Sequence, residues 1–116
     1  MSTRTEGERG ESIACAYLQN KGYRLLRKNF RMGRYEIDLV MRDGDALVFI
    51  EVKARTGQGE ISGREAVNHQ KQQHIIRAAQ GYMQRYGGFD APARFDVAEV
   101  ELQTGKVTHI PAAFTA

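Results

Sequence analysis

Two neighbouring stretches of the chain differ in pattern: apolar and polar residues alternate from Tyr35 to Leu39, whereas residues 46–50 are continuously apolar. Both stretches are rich in large apolar residues, and the segment between them contains Asp43-Gly44-Asp45. Alternation with a period of two is typical of a β-strand with one buried face, and Asp-Gly is a strong signal for a tight turn. The pattern therefore predicts a β-hairpin between Tyr35 and Lys53.

Two registers of this hairpin fit the turn sequence. A loop at residues 43–44 places Asp38 opposite the residue two positions before Glu51, whereas a loop at residues 44–45 places Asp38 directly opposite Glu51. Because side chains alternate across a strand, both registers put Asp38, Glu51 and Lys53 on one face of the hairpin. The opposite face is then wholly apolar, and on the first strand it consists of Ile37, Leu39 and Met41.

Helical periodicity predicts two helices, one on each side of the hairpin in the chain. The first runs from about Glu6 to Asn20 and ends at Lys21-Gly22, where glycine is a stop signal. The second opens near Ser62, which can form a capping box with Glu65, and extends to about Tyr86.

Three further strands complete the predicted elements. One begins near Tyr23, and two more, from Ala93 to Leu102 and from Val107 to Ile110, surround a turn at residues 103–106. The order is then helix, three strands, helix, two strands. A hairpin followed by a helical crossover predicts a mixed central β-sheet flanked by helices, in one α/β domain over residues 1–116.

The composition fits one small domain in a reducing compartment. A chain of 116 residues is long enough for a single core and too short for two. The single cysteine, Cys15, has no partner for an internal disulfide. The longest strongly apolar run, Ala46 to Ile50, is far too short to cross a membrane, and no apolar segment opens the chain. These features predict a cytoplasmic protein without a membrane partner.

The charged face of the predicted hairpin suggests a metal site. Carboxylates that face one another on apolar strands repel, and partial burial penalises each ionised form. Mg²⁺ would relieve both costs, because it prefers oxygen ligands and needs only one or two carboxylates from a protein. Asp38 and Glu51 are the predicted ligands, with the backbone carbonyl of Val52 as a third oxygen and Lys53 beside the metal. The alternative is a cross-strand salt bridge between Lys53 and Glu51 or Glu36 on a solvated face.

These residues resemble a known pattern. Asp38 followed by Glu51-Val52-Lys53 is similar to the core of the PD-(D/E)XK nuclease superfamily, although Ile37 stands where that motif has proline. A more specific set of motifs, which spans nearly the whole chain, resembles the YraN-like family of small bacterial proteins. The motifs are Gly10-Glu11-x-x-Ala14, Glu36-Ile37-Asp38-Leu39, Phe49-Ile50-Glu51-Val52-Lys53-Ala54-Arg55 and Arg94-Phe95-Asp96-Val97. Tyr35 is a departure, since the family usually has glycine before Glu36.

The resemblance implies a restriction-endonuclease-like fold, similar to that of archaeal Holliday junction resolvases. It further implies a Mg²⁺- or Mn²⁺-dependent endonuclease that acts on DNA, with branched DNA as one candidate substrate. Asp38 and Glu51 would hold the metal, Lys53 would assist the attacking water, and Glu11 would contribute from the first helix. Glu11 has an alternative role as a boundary residue whose carboxylate reaches water.

Other functions and assemblies stay open at this point. The rival to an enzyme is a non-catalytic nucleic-acid-binding or adaptor protein that keeps the scaffold, and RNA is an alternative substrate. Junction resolution usually requires two sites related by symmetry, so a homodimer is one expected assembly.

Basic residues suggest a nucleic-acid surface. Lysine and arginine outnumber aspartate and glutamate by 17 to 14, which permits nucleic-acid binding without requiring it. No acid occurs between Gly22 and Tyr35, so the first strand brings cations next to the acidic hairpin. The alternative is an edge strand that its charges protect from pairing. The predicted phosphate contacts are Arg27, Lys28, Arg31, Arg34, Arg55 and Lys71.

Three other polar features receive simpler interpretations. Lys71 interrupts the apolar stripe of the second helix, so it either points toward the hairpin or a phosphate, or packs its stem and reaches water. His69 and His74 are five residues apart, which does not match the spacing of a helical zinc site. Asp96 lies in an apolar strand, and we interpret it as structural.

Overall fold

The computed structural model describes residues 5–56 and 67–116. Its elements follow the predicted order of one helix, three strands, a second helix and two strands. They are α1 (Glu6–Asn20), β1 (Arg24–Met32), β2 (Tyr35–Asp43), β3 (Ala46–Arg55), α2 (His69–Tyr86), β4 (Ala93–Glu101) and β5 (Lys106–Phe114). Within the described residues, no helix is long and apolar enough to cross a membrane.

The five strands form one mixed sheet in sequential order, β1-β2-β3-β4-β5. All neighbouring strands are antiparallel except β3 and β4, which run parallel. The chain connects this parallel pair through α2, because parallel neighbours require a crossover. The prediction of a mixed sheet flanked by helices is therefore confirmed, and the architecture is consistent with a restriction-endonuclease-like fold.

The sheet is covered on both faces, and each face has its own hydrophobic core. One core joins the sheet to α2, where Ile75, Ala78 and Tyr82 pack with Val40 and Phe49. The other core joins the opposite face to α1 and is formed by Ala14, Leu18, Leu39, Met41, Val48, Ile50 and their neighbours. The central strands are therefore buried on both faces, which explains why β3 contains an almost continuous apolar run.

The first helix has the predicted bounds because its ends carry clear signals. The side-chain oxygen of Thr5 accepts a hydrogen bond from the backbone amide of Glu8 at 3.1 Å, which caps the first turn. The chain leaves the helix through Lys21 and then Gly22, whose φ of +100° favours glycine.

The second helix ends at Tyr86 as predicted but begins later than predicted. Residues 67 and 68 are not helical, and Asn68 is the N-cap, with its side-chain oxygen accepting the amide of Lys71 at 2.9 Å. An asparagine in this position satisfies an amide at the start of the helix, so α2 begins at His69. The capping box predicted at Ser62 and Glu65 lies outside the described residues. The last strand, β5, is longer than predicted and continues to Phe114.

Helix α1 approaches β3 closely at one glycine. A Cβ atom placed on Gly10 would lie 2.7 Å from the Cβ atom of Ala54, well inside normal contact distance. Only a residue without a side chain fits here, and this contact holds the following residue, Glu11, over the hairpin.

We expect Gly10→Ala to lower the free energy of unfolding by about 1 kcal/mol, because overpacking outweighs the gain in helix propensity. Gly7→Ala is the matched control, since the nearest atom to its added Cβ is Thr5 Oγ1 at 3.9 Å. That control should gain up to about 1 kcal/mol. Urea unfolding measures both variants, and equal stability of the two would contradict the close packing of α1 on β3.

Candidate functional site

The hairpin adopts the second of the two predicted registers. Asp43 pairs with Ala46 and Leu39 pairs with Ile50, so the loop consists of Gly44 and Asp45. Gly44 has a φ of +58°, the left-handed conformation that this short turn requires. The pairing ends at Leu39 and Ile50, directly before Asp38 and Glu51.

Strand β2 changes its alternation at Asp38. Leu39 belongs to the core under α1, but Ile37 belongs to the core under α2, so these two residues lie on opposite faces of the sheet. The prediction that Ile37 shares a face with Leu39 and Met41 is therefore wrong. On the neighbouring strand β1, Asn29 lies between the paired residues and has a φ of +48°. The local irregularity of both strands accounts for the change of face.

The carboxylate of Asp38 substitutes for a backbone partner where β2 and β3 separate. Its Oδ2 accepts a hydrogen bond from the amide of Val52 at 2.8 Å. That amide lies just beyond the last β2–β3 pair, so a side chain satisfies it instead of a strand carbonyl. The contact fixes the Asp38 side chain beside β3.

Asp38 and Glu51 form a buried carboxyl pair joined by a side-chain hydrogen bond. Burial, and then the negative charge of Glu51, raise the pKa of Asp38 to about 8. Burial also raises the pKa of Glu51, opposed first by the charge of Lys71. Near neutral pH the pair of carboxyl groups therefore retains a proton.

Glu51 has an oxygen atom without a hydrogen bond. The residue is 6% exposed, and its Oε2 is the one buried side-chain polar atom among the described residues without a hydrogen-bond partner. Lys71 Nζ lies 3.7 Å from this oxygen, which is an ion pair but exceeds hydrogen-bonding distance. A buried carboxylate oxygen in this condition is a good candidate for a cation ligand.

Lys53 and Glu11 also lie within electrostatic range of the carboxyl pair. The charge of Lys53 lowers the pKa of Glu51, so its ammonium group lies within electrostatic range of that carboxyl group. Burial raises the pKa of Glu11, opposed by its hydrogen bond from Asn29, while the charges of Asp38 and Glu36 raise it further. Glu11, Lys53 and Lys71 therefore each affect, or are affected by, the charge of Asp38 or Glu51. We call these five residues the acidic neighbourhood.

Asn29 and Glu36 also affect this neighbourhood, and neither was predicted to be functional. The side-chain nitrogen of Asn29 donates to Glu11 Oε1 at 2.9 Å and to Glu36 Oε1 at 3.2 Å. Asn29 therefore links α1 to the hairpin through two carboxylates. The available signal was weak, namely an asparagine inside a strand, where its tolerance of positive φ marks an irregular position.

The site offers two carboxylates rather than a larger ligand cluster. Among residues 5–56 and 67–116, no group of three or more His, Cys, Asp or Glu side chains is arranged to hold a metal. Two carboxylates suit Mg²⁺, which usually keeps several of its waters, and do not suit a fully coordinated structural zinc. The carboxylates of Asp38 and Glu51 therefore match Mg²⁺ both in ligand type and in the number of protein ligands it needs.

The predicted phosphate contacts do not form one continuous surface. Arg27 lies over the ring of Tyr86 at 4.6 Å, Arg31 pairs with Glu36 at 3.6 Å, and Arg55 pairs with Glu99 at 3.5 Å. Lys28 affects the pKa of Glu11 and Cys15 and so lies toward α1. Arg34 lies 5.8 Å from the ring of Tyr35, and Lys71 pairs with Glu51. Of the six cations, Lys71 is the one that forms an ion pair with the acidic site among the described residues.

Asp96 lies outside this site, in a buried network that fits a structural role. The residue is fully buried and accepts hydrogen bonds from Arg94, His109 and the amide of Ala112. Arg94 also binds Asp43 at 3.1 Å and donates to the hydroxyl of Tyr23. Burial alone would raise the pKa of Asp96. The hydrogen bond from His109 and those from Arg94 and the Ala112 amide outweigh burial, so the pKa lies below its usual value. This network ties β4 to β5 and to the hairpin end.

Comparison with known proteins identifies the family. Residues 10–100 match the Uncharacterised protein family UPF0102. The chain belongs to this family. The UPF0102 protein of Anaeromyxobacter dehalogenans strain 2CP-C is 41% identical over 110 residues, which cover 93% of this chain and 82% of the relative. Those of Chlorobium chlorochromatii and Chlorobaculum parvum are 41% and 43% identical, and cover 97% and 93% of this chain and 93% and 90% of the relatives.

The match to UPF0102 covers all the residues of the candidate site. Glu11, Asp38, Glu51, Lys53 and Lys71 all fall within residues 10–100. The resemblance to the YraN-like family is thereby confirmed.

Asp38→Asn should make this UPF0102 protein more stable in the absence of metal. Because the pKa of Asp38 is raised in the fold from 3.8 to about 8, the folded protein binds a proton more tightly than the unfolded chain. The free energy of unfolding of the wild type therefore falls as pH rises from about 4 to about 8. Asparagine keeps an acceptor for Val52 and removes the charge, so the variant should gain about 1 kcal/mol or more at about pH 8.

Urea unfolding in EDTA across this pH range measures the difference. Asp45→Asn, in the exposed turn of the same hairpin, is the control for the loss of one negative charge. An Asp38→Asn variant that is less stable than the wild type throughout the pH range would show that the two carboxyl groups do not repel.

Proposed function

We propose that this UPF0102 protein is a Mg²⁺-dependent endonuclease that hydrolyses phosphodiester bonds in DNA. The observation that carries the proposal is the carboxyl pair of Asp38 and Glu51, which is buried and includes an oxygen without a hydrogen bond. Two acids in this arrangement weaken the apo protein. A cost of this kind, at the point where two central strands separate, is typical of a functional site.

The donor atoms support Mg²⁺, with Mn²⁺ as a substitute of similar preference. Glu51 would bind through Oε2, and Asp38 through the oxygen that does not accept the Val52 amide. Carboxylate oxygens are the ligands that these cations prefer, and a divalent charge would displace the proton that the pair otherwise retains. Bound Mg²⁺ would supply positive charge beside the scissile phosphate and acidify a water molecule.

Two lysines flank the pair and support phosphodiester chemistry. Lys53 is on the same strand as Glu51, and Lys71 approaches from α2 at 3.7 Å from Glu51. Each ammonium group would donate to the attacking water or to a phosphate oxygen whose charge increases in the transition state. In the hydrolysis, the water oxygen bonds to phosphorus while the opposite P–O bond breaks, and the departing oxygen takes a proton.

Glu11 is a candidate for proton transfer near this centre. It lies on α1, is half-buried, and has a raised pKa, chiefly because of burial. A carboxyl group with a raised pKa is better suited to accept and return a proton near neutral pH than an ordinary surface glutamate. Its hydrogen bond from Asn29 at 2.9 Å would keep it directed toward β2.

The surrounding charge supports a nucleic acid as the substrate. The net charge of the chain is +3, and the charges of Lys71 on α2 and Lys53 on β3 both act on Glu51. Phosphate contacts of this type bind DNA largely without regard to sequence. Branched DNA is the candidate substrate that we favour, and cutting both strands of a junction would require a symmetric dimer.

Cleavage assays with labelled flap, junction and duplex DNA test the proposal. We expect cleavage by the wild type with Mg²⁺ or Mn²⁺ and none with EDTA. Asp38→Asn and Lys53→Ala should lose at least about a hundredfold in rate, because each removes a group that acts on the developing charge. Both variants should still bind the same DNA, since the main phosphate contacts lie elsewhere.

Asp45→Asn serves again as the charge-matched control and should cleave like the wild type. Binding of DNA with no metal-dependent cleavage of any substrate would favour the non-catalytic adaptor instead. Cleavage of RNA but not of DNA would show that the substrate is RNA and would leave the proposed hydrolytic mechanism unchanged.

A further inference from the structure

A groove lies next to the carboxyl site, between α2 and the start of β2. Its volume is about 440 Å³, within the usual range for small-molecule sites. The first half of α2 forms one wall, and the turn between β1 and β2 forms the other. The side chains that line it and bear on its chemistry are Arg34, Tyr35, Gln70, Gln73, His74 and Arg77.

The groove combines positive charge with two adjacent aromatic rings. Arg34 and Arg77 are exposed, and neither has a carboxylate partner among the described residues. Tyr35 and His74 pack together with ring centroids 4.9 Å apart and an angle of 41° between the rings. Among residues 5–56 and 67–116, no acidic side chain contributes to the lining. An anion that also carries a planar ring would match these features.

The groove continues from the carboxyl site along the helix. Lys71, which pairs with Glu51, precedes His74 by three residues, and Arg77 follows His74 by three. Residues three apart are neighbours on one helical face, so these side chains form a row. On the other wall, Tyr35 precedes Asp38 by three strand residues, a separation of about 10 Å. A polynucleotide strand that reaches the carboxyl pair would therefore pass this groove.

We propose that the groove binds one unpaired nucleotide of the nucleic-acid strand, beside the phosphate that the carboxyl site addresses. The base stacks on the Tyr35–His74 surface, Arg34 and Arg77 bind the flanking phosphates, and Gln70 and Gln73 hydrogen-bond to base edges or sugar. Stacking is tolerant of sequence, because every base presents a flat face. The inference rests on the proposed function in that both require a nucleic-acid ligand.

Binding is tested without cleavage, in EDTA, with a short fluorescein-labelled oligodeoxythymidine. A fully abasic strand of the same length is the comparison, since it has the same phosphates and no bases. We expect the wild type to prefer the oligodeoxythymidine by about 5- to 150-fold, the range that stacking of one base usually gives. Tyr35→Ala should lose this preference while it retains its weaker binding to the abasic strand.

Matched variants separate stacking from charge and from misfolding. Tyr35→Phe keeps the ring and should bind like the wild type, whereas His74→Ala should weaken the base preference without a change to β2. Arg77→Gln should reduce the slope of log K against log salt by about 0.7 for a single strand. Arg85→Gln, on the same helix but against Tyr86 and outside the groove, should leave that slope unchanged.

The result that overturns this inference is an equal affinity for the two strands, or a base preference that survives in Tyr35→Ala and His74→Ala. Neither result would depend on catalysis. A protein that cleaves DNA with Mg²⁺ but shows no base preference would retain the proposed function and lose only the stacking site. A base preference without cleavage would support the nucleotide-binding groove and contradict the proposed endonuclease activity.

Discussion

The burial of Asp38 beside a second acid, Glu51, is the constraint on which the functional account depends. Folding brings these two acids into contact at the point where β2 and β3 stop pairing. The sheet on either side is stabilised by two hydrophobic cores, so the stability of the domain does not depend on this contact. The carboxyl pair weakens the fold, and a rigid, doubly covered sheet can tolerate such a cost.

The separation of the strands is itself built from local contacts. The Val52 amide would lack a partner where the ladder ends, and Asp38 satisfies it with one carboxyl oxygen. Asn29 adopts a positive φ on the adjacent strand and joins Glu11 to Glu36. The close approach of α1 at Gly10 sets the height of Glu11 above the sheet. These contacts position Glu11 on α1, Glu36 and Asp38 on β2, and Glu51 on β3 relative to one another.

Much of the fold could be predicted from the sequence because its signals are local. The bounds of α1 follow from helical periodicity and a terminal glycine, and the hairpin follows from two apolar stretches on either side of Asp-Gly. The alternation of side chains along a strand also predicted that Asp38 and Glu51 lie on the same face of the hairpin. The register did not, because residues 43–45 fit two loops equally well. The change of face at Asp38 depends on how β1 pairs with β2, which no local pattern specifies.

The details of the site depend on long-range packing and were harder to predict. Lys71 reaches Glu51 because α2 docks on the sheet, and the same docking joins His74 to Tyr35. The spacing of His69 and His74 in the sequence argues against a zinc site and indicates no other role. Their position beside Arg34 and Arg77 instead defines a groove of different chemistry. Basic residues that formed one run in the sequence separate onto different faces in the fold.

Calorimetric titration of the metal-free protein with Mg²⁺ tests the central claim most directly. At about pH 7, in buffers of different ionisation enthalpy, the wild type should bind one ion and release protons, because the cation displaces the proton held by the carboxyl pair. Asp38→Asn should bind far more weakly and release none. Undetectable binding to the wild type, or equal binding and proton release in the variant, would contradict the claim that these two acids form a metal site.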